Sequence, residues 1–321
     1  MQTYTAMKSI YGEEYKGDTR FVARCRKLQS IYRVEIGEEI RPYKGRDGQV
    51  HYYGNYIDCG DTASNGCWKN FLTGYAFDYA KERCGNRQEC ETIEADRLFN
   101  NLLSSQPMAF NLFCPLKQLL EEFPQEATRA IKAALPMFPI DKVTEVGLEF
   151  IPENYKQLTG DKSAMDAIIR FENRDGKECF IAVETKYSEN LGSNEASRKE
   201  KSINAIKSLN CFTPEVEKRL YSGDIRLTQI YRNFLLSETY GAWKGAESFS
   251  IILAPKEHPS TDREIESLHN ELRPEYKDKI KKVNLEDFVK RIISVCPQEY
   301  ATVFERFYDR YLNFKKLKNI D

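Results

Sequence analysis

Charged residues intrude into two short, otherwise apolar stretches of extended character, and that limits what this chain can fold into. Residues 164–171 and 179–187 are rich in β-branched and aromatic side chains. Yet the first reads Ser163-Ala164-Met165-Asp166 at its start, and the second closes as Ile181-Ala182-Val183-Glu184-Thr185-Lys186-Tyr187. A similar run, 143–151, precedes them, and the turn signals Thr159-Gly160-Asp161 and Asp175-Gly176 separate the three. Upstream, Ile93, Leu98, Phe99, Leu102 and Leu103 recur at helical spacing, and a second periodic helix is expected over 116–135. Downstream, 225–236 reads as a helix and 249–254 as an apolar strand ended by Pro255. The expected order is helix, three strands, helix, strand. Beyond Lys256 the chain reads as charged and helical. It closes with a helix that Pro297 starts and that carries Val303, Phe304, Phe307, Tyr308 and Tyr311 as a core-packing stripe.

Side chains alternate along a strand, so Glu184 and Lys186 share one face while Ile181, Val183 and Thr185 take the other. Whether Asp166 joins them depends on the hairpin. A two-residue Asp175-Gly176 turn pairs position 166 with 185 and leaves Asp166 on the wrong face. A three-residue loop, Arg174-Asp175-Gly176 with Gly176 left-handed, pairs 166 with 184 and brings the carboxylates together. The three-residue loop is the expectation. Two carboxylates at one point on a sheet repel unless a cation lies between them, and hard oxygen donors favour magnesium, with manganese able to substitute. Such an ion activates water at a phosphate, with a neighbouring lysine to orient the water and offset charge. The bland reading of the same three residues is a solvent-facing salt-bridge ladder, and a bare D…ExK spacing does not separate the two.

At 321 residues, with 41% apolar and 30% charged residues and a formal charge of -1, the composition is that of a globular protein and names no partner. A local field is present nonetheless. Arg20, Arg24, Arg26, Lys27, Arg33, Arg41, Lys44 and Arg46 outnumber Glu35, Glu38 and Glu39, with Tyr32, Tyr43, Tyr52, Tyr53 and Tyr56 close by. Phosphate contact with base stacking and a solvated helical face both account for it. The beginning Met1-Gln2-Thr3-Tyr4 lacks the pattern of a signal peptide, and no apolar run is long enough for a membrane span, so a cytoplasmic protein with no membrane association is expected. Nine cysteines without a secretion signal are expected as reduced thiols. His51, Cys59, Cys67, Cys84 and Cys90 share one region, but their spacings do not match a structural zinc site.

The segment containing Asp166 and Glu184-Thr185-Lys186 resembles the PD-(D/E)xK, or restriction-endonuclease-like, nuclease superfamily, whose core has the same element order. Asn100-Asn101-Leu102-Leu103-Ser104-Ser105-Gln106, Phe110-Asn111-Leu112-Phe113, Glu149-Phe150, Leu158-Thr159-Gly160-Asp161 and Glu184-Thr185-Lys186-Tyr187-Ser188-Glu189 resemble a bacterial branch of it, over roughly residues 20 to 255. The resemblance implies an α/β core with a mixed four-stranded central sheet flanked by helices, and helical N- and C-terminal additions. On that basis residues 1–91 are an extension with potential nucleic-acid contacts, 92–256 the nuclease core and 257–321 a helical segment packed on it. It implies Asp166 and Glu184 as metal ligands, the Thr185 carbonyl as a third and Lys186 as the catalytic lysine. Met165 stands where the family usually has proline.

Glu149 is the expected additional acid on the first strand, with Glu145 as runner-up. Gln229 and Arg232 resemble the later helical motif whose polar side chains reach back to the site, although an amphipathic helix explains their periodicity equally well. Ser104, Ser105, Gln106 and Asn111 are expected either at the cleft or in helix capping and buried hydrogen bonds. The expected activity is magnesium-dependent endonucleolytic cleavage of DNA in restriction or defence against foreign DNA, with RNA left open and either a homodimer or repeated engagement needed to cut duplexes. The competing reading is a non-catalytic nucleic-acid-binding or scaffold protein that keeps the fold.

Overall fold

The computed structural model describes residues 10–45, 48–59, 68–87, 93–160, 164–192, 199–224 and 226–319. Helix α1 (Arg20–Glu35), the hairpin β1 (Tyr43–Lys44) and β2 (Val50–His51), and helices α2 (Gly74–Gly85) and α3 (Ala95–Asn100) lead into the core. Ser104 then caps helix α4 (Ser105–Glu122) by accepting from Gln106 N at 3.2 Å. The single helix expected over 116–135 is in fact two, because Pro124 has no N–H to continue α4 and instead opens α5 (Pro124–Ala134).

The three expected strands follow as β3 (Lys142–Phe150), β4 (Met165–Glu172) and β5 (Glu178–Thr185), each antiparallel to the next. Ala167 pairs with Val183 and Glu172 with Glu178. Asn173 N donates to Lys177 O at 3.0 Å, which leaves Arg174-Asp175-Gly176 as the loop, with Gly176 at φ +73°. This is the register in which Asp166 falls opposite Glu184.

After β5 come α6 (Lys199–Leu209), α7 (Pro214–Ser222) and α8 (Gln229–Lys244), then β6 (Glu247–Ala254), parallel to β5. The remainder is α9 (Thr261–Glu271), α10 (Pro274–Lys277), β7 (Ile280–Asn284), α11 (Leu285–Ile293), α12 (Gln298–Tyr311) and a 3-10 turn (Phe314–Asn319). Strand β7 corrects two expectations: the sheet has five strands, in the order β3-β4-β5-β6-β7, and the C-terminal region is not wholly helical. Its sequence, Ile280-Lys281-Lys282-Val283-Asn284, is short with two lysines among five residues, which suits an edge strand and carries little strand signal.

Alternation along the strands splits the core in two. Ala167, Ile169, Phe171, Ile181, Val183, Ile251 and Leu253 join a large cluster that extends from Phe21 to Leu312. Ile168, Phe180 and Ala182 point the other way, towards Leu236 and Tyr240 of α8. Among the described residues no helix is long and apolar enough to cross a membrane.

Candidate active site

At one end of the sheet, three carboxylates lie in a row across three adjacent strands. Leu148 pairs with Ala167 and Phe150 with Met165, so Glu149 of β3 falls opposite Asp166 of β4, and the β4–β5 register puts Glu184 on the other side. Past Ala167–Val183 the strands part, and Asp166 Oδ2 accepts both Thr185 N–H and Thr185 Oγ1–H at 2.7 Å. Burial, then the charges of Glu184 and Glu149, push the Asp166 carboxyl well above the usual carboxylate range. Glu149 is 4% exposed and its backbone sits at φ +48°, a left-handed conformation costly for a side chain of this kind. Its carboxylate accepts from Gln106 Nε2 at 3.0 Å and its carbonyl from Arg83 Nη2 at 3.1 Å.

Glu184 and Lys186 share the face turned towards α8. Lys186 Nζ lies 2.8 Å from Glu184 Oε1. Burial alone would lower the lysine's pKa, but Glu184 and Asp166 outweigh it and hold the ammonium above the ordinary lysine value. Helix α8 supplies two amides: Gln229 Nε2 to Glu184 Oε1 and Asn233 Nδ2 to Glu184 Oε2, each at 2.8 Å. Gln229 Oε1 in turn accepts from Gly192 N at 2.7 Å. Arg232 makes none of these contacts with Glu184 or Asp166. Asn233 was the residue to find, four positions after Gln229 and therefore on the same helix face.

The other singled-out residues divide clearly. Glu145 pairs with Arg170 at 2.9 Å, away from Asp166. Ser104 caps α4 and accepts from Arg97 Nε at 2.7 Å, whereas Asn111 ties Leu72 N, Asn70 O and Tyr311 Oη together in the core. Ser105 and Gln106, at the start of α4, reach Glu189 and Glu149. Much of the basic N-terminal stretch is already engaged: Arg26 with Asp18 and Asn55, Arg24 with Glu257, Arg41 with Asp96, and Arg33 with the carbonyls of Gly54, Glu38 and Ile10. Arg46 lies outside the described residues.

A divalent cation suits the donors at the centre of the row. Among the described residues the hydrogen bonds to Asp166 fall on Oδ2, and Glu184 receives three donors, so both carboxylates keep acceptor capacity. These are hard oxygens, and at Asp166 burial and the charges of Glu184 and Glu149 outweigh the Lys186 ammonium, the condition a cation relieves. Among the described residues no group of three or more His, Cys, Asp or Glu side chains is arranged to hold an ion, so two carboxylates would need main-chain and water oxygens to complete a shell. Of the region considered for zinc, Cys59 is buried, Cys84 is a free thiol and His51 lies 3.5 Å from Glu13, while Cys67 and Cys90 lie outside the described residues.

A family model described as the PD-(D/E)XK nuclease superfamily matches residues 16–313, nearly the whole chain. Neither the comparison with curated proteins nor that with solved structures finds a match.

Proposed function

The chain belongs to the PD-(D/E)XK nuclease superfamily, and from that membership we propose that it is a metal-dependent endonuclease acting on DNA, in restriction or defence against foreign DNA. The observation that carries this reading is the row Glu149–Asp166–Glu184 with the Lys186 ammonium 2.8 Å from Glu184. Asp166, Glu184 and the Thr185 carbonyl would hold magnesium, or manganese in its place. When bound, the ion supplies Lewis acidity at a phosphate oxygen and makes a bound water acidic enough to attack near neutral pH.

The chain's own side chains do the rest. Thr185 holds Asp166 through two hydrogen bonds, and Gln229 and Asn233 hold Glu184, so neither carboxylate has to be ordered when substrate arrives. Lys186 presents a charged ammonium where the attacking water must be oriented and where negative charge builds on the phosphate. Glu149, outside the proposed ligand pair, is held by Gln106 and adds its negative charge beside Asp166. One such centre hydrolyses one strand, so cutting a duplex calls for two copies or two engagements.

Cleavage of supercoiled plasmid, linear duplex, single-stranded DNA and RNA with magnesium or manganese tests this. Wild type should cut DNA, and Asp166→Ala and Lys186→Ala should each lose at least about a hundredfold in rate. Cutting that survives both substitutions would place the chemistry elsewhere, and cutting of RNA alone would overturn the choice of substrate.

A further inference from the structure

Lys186 stands just past the end of β5, where the sheet's hydrogen bonds no longer fix the chain on both sides. The structure assigns that job to Glu189: we propose, resting on the nuclease reading above, that Glu189 is a positioning residue that holds Lys186 in its working place. Glu189 Oε1 accepts from Arg97 Nη2 at 2.7 Å, Ser105 N at 2.9 Å and Ser105 Oγ at 3.2 Å, while Oε2 accepts from Ser188 N at 3.2 Å. Its own carbonyl lies 3.0 Å from Nε2 of His258, an imidazole only 3% exposed and packed edge-on against Phe21. Glu189 is therefore fixed at both ends, by side chain and by main chain.

The anchor is well chosen physically. Ser105 opens an 18-residue helix, whose first N–H groups have no partner within the helix and form its positive end, so a carboxylate there is held by direct bonds and by the dipole. The next residue, Gln106, holds Glu149. One turn of α4 thus grips both chain segments that flank the site, the end of β3 and the stretch after β5. Between Lys186 and Glu189, Tyr187 is buried and accepts from Gln29 Nε2 at 3.0 Å, and Ser188 Oγ donates to Leu103 O at 3.3 Å. Every residue from Lys186 to Glu189 is thereby tied to the scaffold. Glu189 is not among the proposed metal ligands, and its charge adds to those of Glu184 and Asp166 in favouring the Lys186 ammonium.

The experiment is single-turnover and steady-state cleavage of plasmid DNA with magnesium by wild type, Glu189→Gln, Lys186→Ala and the double variant, with melting curves for each. Glu189→Gln keeps the shape but removes the charge and weakens the grip. It should lower kcat by about tenfold or more, leave KM within about threefold and leave the melting temperature nearly unchanged. In the Lys186→Ala background the same change should add little, because its effect runs through the lysine. A Glu189→Gln protein with wild-type kcat, or a loss that multiplies in full onto Lys186→Ala, overturns the proposal. If Glu189→Gln does not fold, Arg97→Ala, which removes one donor from the partly exposed rim, is judged by the same criteria with a smaller expected loss. Wild type that fails to cut, or Lys186→Ala that cuts as wild type does, would instead sink the nuclease reading itself, and the two failures are told apart by the lysine variant.

Discussion

Glu238 lies on α8 with its carboxylate accepting from Ser248 Oγ at 2.8 Å, and it is only 5% exposed. Burial pushes it up from 4.5 to about 7, with Lys279 and the Ser248 hydroxyl offsetting only part of that. It has no place in the chemistry, yet it makes the fold respond to pH. Below 4.5 both the folded and the unfolded chain carry the proton, and the group is neutral to stability. Between 4.5 and about 7 the folded state keeps a proton that the unfolded chain has released, so stability falls as pH rises. Above that range the full cost applies, on the order of 3 kcal/mol. Glu238→Gln should therefore match wild type in urea unfolding near pH 4 and exceed it at pH 8. A difference that does not grow with pH would mean that the carboxylate ionises freely in the fold. Asp166 is displaced in the same direction, but there the excess of acid serves a proposed cation site, which is why one buried acid is a liability and the other a candidate for function.

The β4–β5 hairpin shows how an element places chemistry. Asp175 N and Lys177 N both donate to Asn173 Oδ1, at 3.0 and 2.9 Å, and Gly176 takes the left-handed conformation at φ +73° with nothing within 4 Å of where a Cβ would stand. Gly176→Ala should thus cost only the backbone strain, about 1 kcal/mol in chemical denaturation, and leave cleavage intact because Asn173 and six rungs of pairing keep the register. A loss of cleavage with stability unchanged would mean that the turn, not the rungs, sets the face of Asp166. This register was legible in the sequence because turn chemistry and two-residue alternation are local rules. The join between α4 and α5 was missed since the apolar period runs on through Phe123-Pro124, even though Pro124 carries the stop signal. Strand β7 was missed for a different reason: its partner β6 lies about thirty residues back along the chain, and an edge strand with two lysines draws its stability from that pairing rather than from its own composition. At the site, the helix face bearing Gln229 was legible, but which of Arg232 and Asn233 meets Glu184 depends on how α8 rotates against the sheet.

Across the whole molecule, one buried arginine joins regions far apart in sequence. Arg310 of α12 is 1% exposed and donates to Gln29 Oε1 at 3.2 Å, Asn70 O at 2.8 Å and Asn70 Oδ1 at 2.5 Å. Its guanidinium lies over the rings of Tyr32 at 4.2 Å and Tyr311 at 4.5 Å. Gln29 passes the connection to Tyr187, the neighbour of Lys186, and Asn70 passes it to Asn111 and to the Leu98 carbonyl. The N-terminal helix, the segment just after β5 and the C-terminal helix thus share one polar network inside one apolar cluster. Truncating the arginine would leave several buried acceptors unmet, and unmet buried groups cost more than the net value of the bonds they lose. Arg310→Ala should therefore lose about 3 kcal/mol or more in chemical denaturation while still unfolding in a single transition. If instead it melts in two steps, with the sheet surviving the first, the terminal helices are additions to an independent core. A single lowered transition would mean that the segment carrying Lys186 and Tyr187, just past β5, is held by the whole chain.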